Sequence, residues 1–369
     1  MNRKLFLAIS VLIAALAAYI LFFSGIMPKK TRIVLVTEKE DRTLTELFED
    51  FGRKNPDIIL DIVVRRKYDA EEYVVSGKAD MWLPLESNEL SYAEGSYRYK
   101  SEGKLYGRFA KIAFTPMILV SARERYSYTS TMTLQEIYGY ITGRAVWQDI
   151  NGETEWGRFR FDCPRPDFYE DGADCILLFI HHYFTANNDP REKIGLKELD
   201  DENVKEYIRS FLRNVSMESS PGNYFLFGFF GNADTPEVDI CVSYEQVFLS
   251  TAECDYKYWP RVRIHYPDRL TVSKPRYLVS MAKSLDDPKK AEAISRFEEY
   301  MLSDDVQLAL IGLGYRPVKA TEATEAALAE LEEKYGAYGF RAELPELRDS
   351  MDYTFLRQFQ DLIWEYLQH

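Results

Sequence analysis

The chain has 369 residues, of which 46% are hydrophobic and 28% charged, and its formal net charge is −13. This length exceeds what one modest hydrophobic core usually serves, so two domains are expected. The negative charge argues against a nucleic-acid partner, because binding to phosphates needs a basic stripe on the surface.

The first thirty residues predict a membrane segment. Met1–Lys4 is short and basic, and Leu5–Phe23 contains no charged residue. About 20 apolar residues span a bilayer as a helix, which favours an uncleaved anchor. The alternative is a cleaved signal segment with a mature start near Ala18. It is less favoured, because the apolar run continues to Phe23 and a signal peptide has a shorter apolar region.

The order of elements after Arg32 predicts a parallel α/β sheet. Apolar runs typical of buried strands alternate with segments whose apolar residues recur at helical spacing. In chain order we predict a strand at Ile33–Val36, a helix from Thr43 to Asn55, a strand at Ile58–Val64, a helix at Ala70–Val75 and a strand at Ala79–Leu83. Strand–helix–strand repeats of this kind form parallel sheets.

A second α/β unit is predicted from about Ala113 onward. Its first strand, Ile112–Val120, is interrupted by Thr115-Pro116. Because proline cannot donate to a central ladder, we expect this strand to bend or to pass between two lobes there. The later predicted strands are Trp156–Phe161, Val238–Val242, Arg261–Tyr266 and Tyr277–Met281, and the later predicted helices are Thr133–Ile141, Gly172–Phe184, Val204–Leu212, Asp286–Ser303, Asp304–Leu310, Glu322–Tyr335 and Tyr353–Leu367.

Four cysteines allow three disulfide pairings. We expect the two local bonds Cys163–Cys175 and Cys241–Cys254, because an even count behind an export segment suits an oxidising compartment. The alternative is four reduced, buried thiols. No Cys-x-x-Cys or His-x-x-x-His spacing occurs in the sequence, so a zinc site is not expected, and we expect no cofactor.

Six segments between Arg32 and Pro317 carry a resemblance to a known family. They are Arg32–Pro56, "SGKADMWLP" at Ser76–Pro84, "FTPMILVSARE" at Phe114–Glu124, Thr133–Gly143, Trp156–Asp174 and "DDVQLALIGLGYRP" at Asp304–Pro317. In this order they resemble bacterial extracellular solute-binding proteins with the type 2 periplasmic binding protein fold. "SGKADMWLP" is similar to a segment of substrate-binding domains that accompany von Willebrand factor type A modules.

The resemblance implies an α/β fold of two Rossmann-like lobes with a ligand cleft between them. The expected division is 1–30 as the membrane anchor or signal segment, 31–114 plus 270–369 as lobe 1, and 115–269 as lobe 2. It also implies a monomer at the extracytoplasmic face of the bacterial cell membrane, in the periplasm or at the cell surface. The anchor Leu5–Phe23, expected from the length of the apolar run, departs from the family, which often starts with a cleaved signal or a lipid anchor. The expected partners are a small ligand and either a membrane permease or a protein containing a von Willebrand type A module.

One departure from the family pattern bears on the ligand. Asp167-Phe168-Tyr169 lacks the small hydroxyl residue often found before the glycine, which argues against an oxyanion.

Candidate ligand-binding residues follow from their positions. Open α/β sheets bind ligands at the carboxyl ends of their strands, and helix N-termini favour anions or carbonyl oxygens. The candidates are Thr37, Glu38, Lys39, Trp82, Pro84, Thr115, Arg160, Asp171, Gly172, Tyr244 and Tyr266. For Trp82 the favoured alternative is packing in the core. For Lys39 and Arg160 it is an ordinary surface charge.

An enzymatic function is not expected. The sequence has no Gly-x-Ser-x-Gly elbow and no Gly-rich phosphate loop, and its four histidines leave little material for a general base. A ligand receptor for a transporter or a sensing partner is therefore the favoured function. The alternatives are a membrane-anchored interaction module with a non-functional cleft and, least favoured, an exported enzyme on the same fold.

Overall fold

A computed structural model of the chain describes residues 30–38, 42–217, 238–252 and 261–368, together with Ile13. The predicted anchor Leu5–Phe23 lies, apart from Ile13, outside the described residues, and so do Lys39 and Cys254. Among the described residues, no helix combines the length and the apolar character that crossing a membrane requires.

Strands and helices alternate along the described chain. The strands are β1 Thr31–Thr37, β2 Ile58–Val64, β3 Met81–Leu83, β4 Tyr106–Ala122, β5 Phe161–Asp162, β6 Ile240–Tyr244, β7 Val262–His265, β8 Leu270–Met281 and β9 Glu346–Asp349. The helices are α1 Arg42–Lys54, α2 Lys67–Val75, α3 Ser87–Lys100, α4 Tyr126–Thr129, α5 Leu134–Thr142, α6 Trp147–Asn151, α7 Glu170–Ala186, α8 Leu196–Leu199, α9 Glu202–Leu212, α10 Glu245–Ala252, α11 Ala282–Leu285, α12 Pro288–Met301, α13 Asp304–Gly312, α14 Glu322–Tyr335 and α15 Tyr353–Gln368.

The first half of the sheet is built around β1. This strand pairs in parallel with β2 and β3, which confirms the predicted parallel arrangement, and β3 pairs antiparallel with β8. Ile33 and Leu35 of β1 are fully buried because helices cover the sheet, and they pack in one cluster with Phe51 of α1 and Phe297 of α12.

The second half of the sheet is built around β6. This strand pairs antiparallel with β4 and in parallel with β5, and β7 pairs antiparallel with β4. Helix α7 covers this half and is buried along most of its length, where Phe179 contacts Phe161 of β5 and Phe211 of α9.

Strands β4 and β8 join the two halves. They pair antiparallel from Tyr106 opposite Met281 to Pro116 opposite Ser273, after which β4 pairs with β6. The strand therefore changes its pairing partner at Thr115-Pro116, the point at which we expected it to bend or to pass between two lobes. Strand β8 begins at Leu270 rather than at Tyr277, because the charged sequence around Pro275 hid its first part from the apolar pattern.

Other elements also differ from the sequence predictions. The predicted strand Trp156–Phe161 is reduced to Phe161–Asp162. Helix α3 at Ser87–Lys100 was not predicted, because its apolar residues do not follow a clear helical period. Helix α7 begins at Glu170, two residues before the predicted start, and this places two more carboxylates in its first turn.

The two C-terminal helices contact both halves of the sheet, since Tyr353 of α15 packs against the cluster that contains Trp82 of β3, and α14 lies against α13. Leu356 and Phe359 of α15 join the cluster that contains Phe179, and Leu328 of α14 packs against the cluster that contains Ile118 of β4. The domain boundaries stay a prediction.

The cysteines correct one expectation. Cys163, Cys175 and Cys241 are free, buried thiols, so the predicted Cys163–Cys175 disulfide is not formed in this structure. The hydrogen bond with Cys175, followed by burial, raises the pKa of Cys163 and keeps its thiol protonated. The predicted partner of Cys241 is Cys254, which lies outside the described residues.

Candidate ligand-binding site

A cavity of about 340 Å³ lies beside the crossing of β4 and β8. Its wall combines the chain that follows β3, the first turns of α3, α7 and α10, and the middle of both crossing strands. The lining residues are Pro84, Leu85, Glu86, Ser87, Leu90, Thr115, Tyr169, Glu170, Asp171, Tyr244, Gln246, Val247, Lys274, Pro275, Arg276, Tyr277 and Tyr315. A cavity of this size, lined from both halves of the sheet, is suited to a small molecule.

Lys274 is the central charge of the cavity. It lies on β8 opposite Thr115 of β4, and its side chain is 16% exposed. Its Nζ is 2.9 Å from Glu170 Oε2 and 5.2 Å from the centroid of the Tyr244 ring. Burial lowers the pKa of Lys274, but Glu170 and Glu86 more than offset this, so the pKa is raised and the ammonium stays charged.

Glu170 connects two helix N-termini. It is the first residue of α7, and its Oε2 accepts a hydrogen bond from the backbone N of Ser87, the first residue of α3, at 3.0 Å. Helix N-termini expose free N–H groups and favour negative charge. One buried carboxylate therefore links an element of the first half of the sheet to an element of the second.

Two further carboxyl groups lie next to Glu170 on α7. Burial raises the pKa of Asp171 to about 6, and Lys274 limits the rise. Asp174 is fully buried and accepts a hydrogen bond at 2.5 Å from the hydroxyl of Tyr244. Burial, followed by the charge of Glu170, raises the pKa of Asp174 to about 8. Burial therefore favours the protonated form more strongly at Asp174 than at Asp171.

Backbone and side-chain bonds hold the rest of the wall. The hydroxyl of Thr115 accepts a hydrogen bond at 2.9 Å from the backbone N of Gln246, near the start of α10. Arg276 donates to the carbonyl oxygen of Pro84. Burial alone would raise the pKa of Glu86, but Lys274 and Lys67 lower it overall, so this carboxylate is ionised.

A larger cavity of about 890 Å³ adjoins the first. The two share Ser87, Leu90, Pro275 and Tyr277. The larger cavity extends to α7, to residues 192–198 and to residues 347–355. None of the sequence-predicted site residues that the structure describes lines it, so the smaller cavity is the better candidate site.

Four sequence-predicted residues line the smaller cavity: Pro84, Thr115, Asp171 and Tyr244. These four residues were predicted from their positions in strands and at helix starts, and they lie together, as expected for the carboxyl ends of an open sheet.

Three candidates from the first half of the sheet lie elsewhere. The carbonyl oxygen of Thr37 accepts a hydrogen bond from the backbone N of Arg65 at 2.9 Å. Trp82 is fully buried in the core, which supports the packing alternative. Burial, followed by the hydrogen bond and repulsion with Glu89, raises the pKa of Glu38 to about 9.

Arg160 and Gly172 also lie outside the cavity lining. The backbone N of Arg160 donates to Asp239 Oδ2 at 2.7 Å, behind the second half of the sheet. A Cβ on Gly172 would lie 2.1 Å from the carbonyl oxygen of Pro164, so this glycine permits a close backbone approach.

Tyr266 belongs to a buried ion-pair network. Its hydroxyl donates to Glu245, whose carboxylate makes two hydrogen bonds of 2.7 Å with Arg316. Arg316 is the arginine of the Gly-Tyr-Arg-Pro sequence, and its backbone pairs with Phe114 of β4. This network connects the segment around Arg316 to β4.

Sequence reasoning missed the charged centre of the site. Lys274, Arg276, Glu86 and Glu170 all line the cavity, and none was a candidate. The available signal was the sequence Lys274-Pro275-Arg276 inside an otherwise apolar segment. Charged residues on both sides of a proline are unusual in a buried strand, and they indicate a functional site rather than core packing.

Asp174 gives a pH-dependent prediction. We expect Asp174→Asn to stabilise the protein at pH 8.5 by more than about 1.4 kcal/mol, the value of one pKa unit. Because the folded pKa is raised, the native state keeps a proton that the unfolded chain releases, so wild-type stability falls as the pH rises from about 4 to 8. Asparagine cannot ionise and can still accept from Tyr244.

Urea unfolding from pH 4 to pH 9 measures this effect. The two proteins should be similarly stable at pH 4 and diverge as the pH rises. A stability difference that is constant across this range would contradict the assignment of a protonated Asp174.

The described residues contain no group of three or more His, Cys, Asp and Glu side chains arranged to hold a metal ion. No protein-family model matches the chain, and no curated protein matches it.

Solved structures of low sequence identity match most of the chain. The Trichodesmium protein IdiA (FutA), in complex with iron and citrate, has a TM-score of 0.59 and 12% identity over 91% of this chain and 98% of its own. Maltose-bound T. maritima MalE3 has a TM-score of 0.56 and 12% identity, over 91% of this chain and 95% of its own. An ABC transporter substrate-binding protein from Bradyrhizobium japonicum has a TM-score of 0.54 and 11% identity, over 92% of this chain and 100% of its own.

The chain has the periplasmic binding protein fold. This confirms the fold that the ordered segments implied. Two of these three proteins hold a bound small ligand, and the third is described as an ABC transporter substrate-binding protein. In this periplasmic-binding-protein-like chain, the cavity at the crossing strands lies where the two halves of the sheet meet.

Proposed function

We propose that the chain is an extracytoplasmic solute-binding protein that captures a small ligand in the cavity beside β4 and β8. In this proposal the ligand is delivered to a membrane permease or to a sensing partner that contains a von Willebrand type A module. The chain acts as a monomer anchored by Leu5–Phe23. The observation that carries the proposal is a cavity of about 340 Å³ lined from both halves of a sheet with this fold.

The geometry suggests how a ligand would be held. Both crossing strands carry a proline near the cavity, with Phe114 opposite Pro275 and Pro116 opposite Ser273, where the hydrogen-bond ladder lacks donors. We infer that the two lobes move about this point. A ligand that contacts α3 and α7 together would stabilise the closed arrangement, because it binds that arrangement better than the open one.

A thermal-shift screen of the full chain in detergent tests the function. Sugars, amino acids, peptides, amines and oxyanions form the library. A true ligand at about 100 times its Kd adds roughly 2.7 kcal/mol to stability, so a clear rise in melting temperature is expected for at least one class.

The outcome also separates the alternative function. If no compound of the library raises the melting temperature and a membrane protein co-purifies, the result would favour an interaction module whose cleft is filled by its own side chains. The hydrogen bond between Glu170 and Ser87 supports this alternative, because it bridges the two halves of the sheet without a ligand.

A further inference from the structure

We propose that the cavity selects ligands bearing positively charged amino groups and discriminates against anions. This inference rests on the proposed solute-binding function and names the ligand class of the same site. The reason is that carboxylates of the chain itself already pair with the helix N-terminus and the ammonium group that would otherwise attract an anion.

The natural anion positions of the cavity are already filled. Three features would favour an anion: the N-terminus of α3 at Ser87, the N-terminus of α7, and the ammonium of Lys274. Glu170 occupies two of them, because it accepts from the Ser87 N–H at 3.0 Å and lies 2.9 Å from Lys274 Nζ, and Asp171 adds a second carboxylate in the first turn of α7. An anionic ligand would have to displace this carboxylate and leave it buried without its partners, which is costly.

One acceptor atom of the site is left without a donor. Glu170 is 4% exposed, and its Oε1 is buried without a hydrogen-bond partner among the described residues. An unpaired buried acceptor costs about 1–3 kcal/mol, and more when it is charged. A ligand N–H in the cavity would supply the missing donor. An ammonium group would also supply the opposite charge.

The ionised groups of the lining carry no surplus of positive charge. The carboxylates of Glu86, Glu170 and Asp171 face two cationic side chains, Lys274 and Arg276. Lys274 is paired with Glu170, and Arg276 donates to a backbone carbonyl. Burial raises the pKa of Asp171 to about 6. Lys67, outside the lining, lies 2.9 Å from Glu86 Oε2, so carboxylates and cations balance, and the buried Oε1 of Glu170 is the acceptor that favours a cation.

The adjoining cavity continues the same charge pattern. Its lining contains Glu192, Glu198, Asp349 and Asp352 against Lys193 and Arg348. Two of these acids are partly neutralised from outside the lining, since Lys111 pairs with Asp349 and Arg191 with Glu198. Because the two cavities share four lining residues and both contain carboxylates, a ligand with two amino groups along a chain could extend from the first into the second.

The aromatic residues of the wall also suit a cation. The rings of Tyr169, Tyr244, Tyr277 and Tyr315 line the cavity. The Tyr244 ring already faces the Lys274 ammonium, with 5.2 Å between Nζ and the ring centroid. Aromatic faces attract ammonium groups by about 0.5–2 kcal/mol, depending on how far the pair is removed from water.

Titration of the full chain in detergent tests the ligand class. The cationic probes are 1,4-diaminobutane, spermidine and choline, and the comparison probes are citrate, inorganic phosphate, glutamate and maltose. We expect at least one amine to bind and the anions not to bind. Affinity should fall as sodium chloride is raised, because salt screens the attraction.

Two variants and one matched control complete the experiment. Glu170→Gln is expected to weaken amine binding at least tenfold, and Asp171→Asn several-fold, with folding checked by circular dichroism. Glu206→Gln makes the same chemical change at an exposed position on α9, where Glu206 is 63% exposed, and should leave binding unchanged. Asp171→Asn keeps the test decisive if Glu170→Gln fails to fold.

The outcomes separate this inference from the function on which it rests. Binding of maltose or of an anion without any amine overturns the ligand class and leaves the solute-binding function intact. Amine binding that survives both substitutions also overturns the inference. Failure of every probe and of the wider library overturns the inference and the function together.

Discussion

Replacing Arg316 with alanine is expected to lower the free energy of unfolding by about 3–5 kcal/mol, because the change leaves a buried charge without its partner. Arg316 is 2% exposed and Glu245 is fully buried. Their side chains form two parallel hydrogen bonds of 2.7 Å, and Arg316 Nη1 donates to the carbonyl oxygen of Ala342 at 2.7 Å. The guanidinium also lies 4.6 Å from the centroid of the Phe340 ring.

Three contacts place this ion pair at a structural joint. The backbone of Arg316 pairs with Phe114 of β4, Glu245 begins α10, and Tyr266 donates its hydroxyl to Glu245 just after β7. Removal of the guanidinium therefore weakens the contacts that join the segment around Arg316 to β4 and to the second half of the sheet. Buried bidentate pairs of this geometry cannot relax into water, so little of the loss is recovered.

Equilibrium unfolding in urea measures the change. Arg213→Ala is the matched control, because Arg213 pairs with Glu206 at an exposed position, and it should alter stability by less than about 0.5 kcal/mol. The double variant Arg316→Met with Glu245→Leu removes both charges and should recover more than half of the loss. A loss below about 1 kcal/mol in Arg316→Ala alone would show that the pair contributes little.

Replacing Gly172 with alanine is expected to destabilise the protein by about 3 kcal/mol, against the helix preference of alanine. Gly172 lies in the first turn of α7, where alanine would ordinarily favour the helix by about 1 kcal/mol. The added Cβ would lie 2.1 Å from the carbonyl oxygen of Pro164 and 2.9 Å from the backbone N of Pro166. Both contacts are with backbone atoms, so the first turn of α7 must move to relieve them.

A second effect of this substitution concerns the site. Glu170 lies two residues before Gly172, so displacement of the first turn should move its carboxylate away from Ser87 and Lys274. Ligand binding should weaken in parallel with stability.

Gly139→Ala provides the control for Gly172→Ala. Gly139 lies in α5, where an added Cβ would meet nothing within 4 Å, so this variant should be stabilised by up to about 1 kcal/mol. Thermal and urea unfolding of the two variants should give changes of opposite sign. A Gly172→Ala variant as stable as the wild type would contradict the close approach at Pro164.

The sequence predicted the order of elements better than the residues of the site. Apolar runs such as Ile33–Val36 and Ile58–Val64 predicted β1 and β2 correctly, although only β1 is largely buried and β2 lies at the edge of the sheet. Thr115-Pro116 marked the crossing strand correctly, because a proline in an apolar run requires a local reason. Position alone found Pro84, Thr115, Asp171 and Tyr244.

The sequence by itself determined the α/β alternation, the crossing at Thr115-Pro116 and the helix whose start carries Asp171. Each of these depends on neighbours along the chain. The tertiary structure alone decided that Glu170 bonds to Ser87, 83 residues earlier, and pairs with Lys274 on the second crossing strand. It also decided that Gly172 serves packing and Tyr266 an ion pair. Such contacts join residues far apart in sequence, and local periodicity carries no information about which strand ends and helix starts meet.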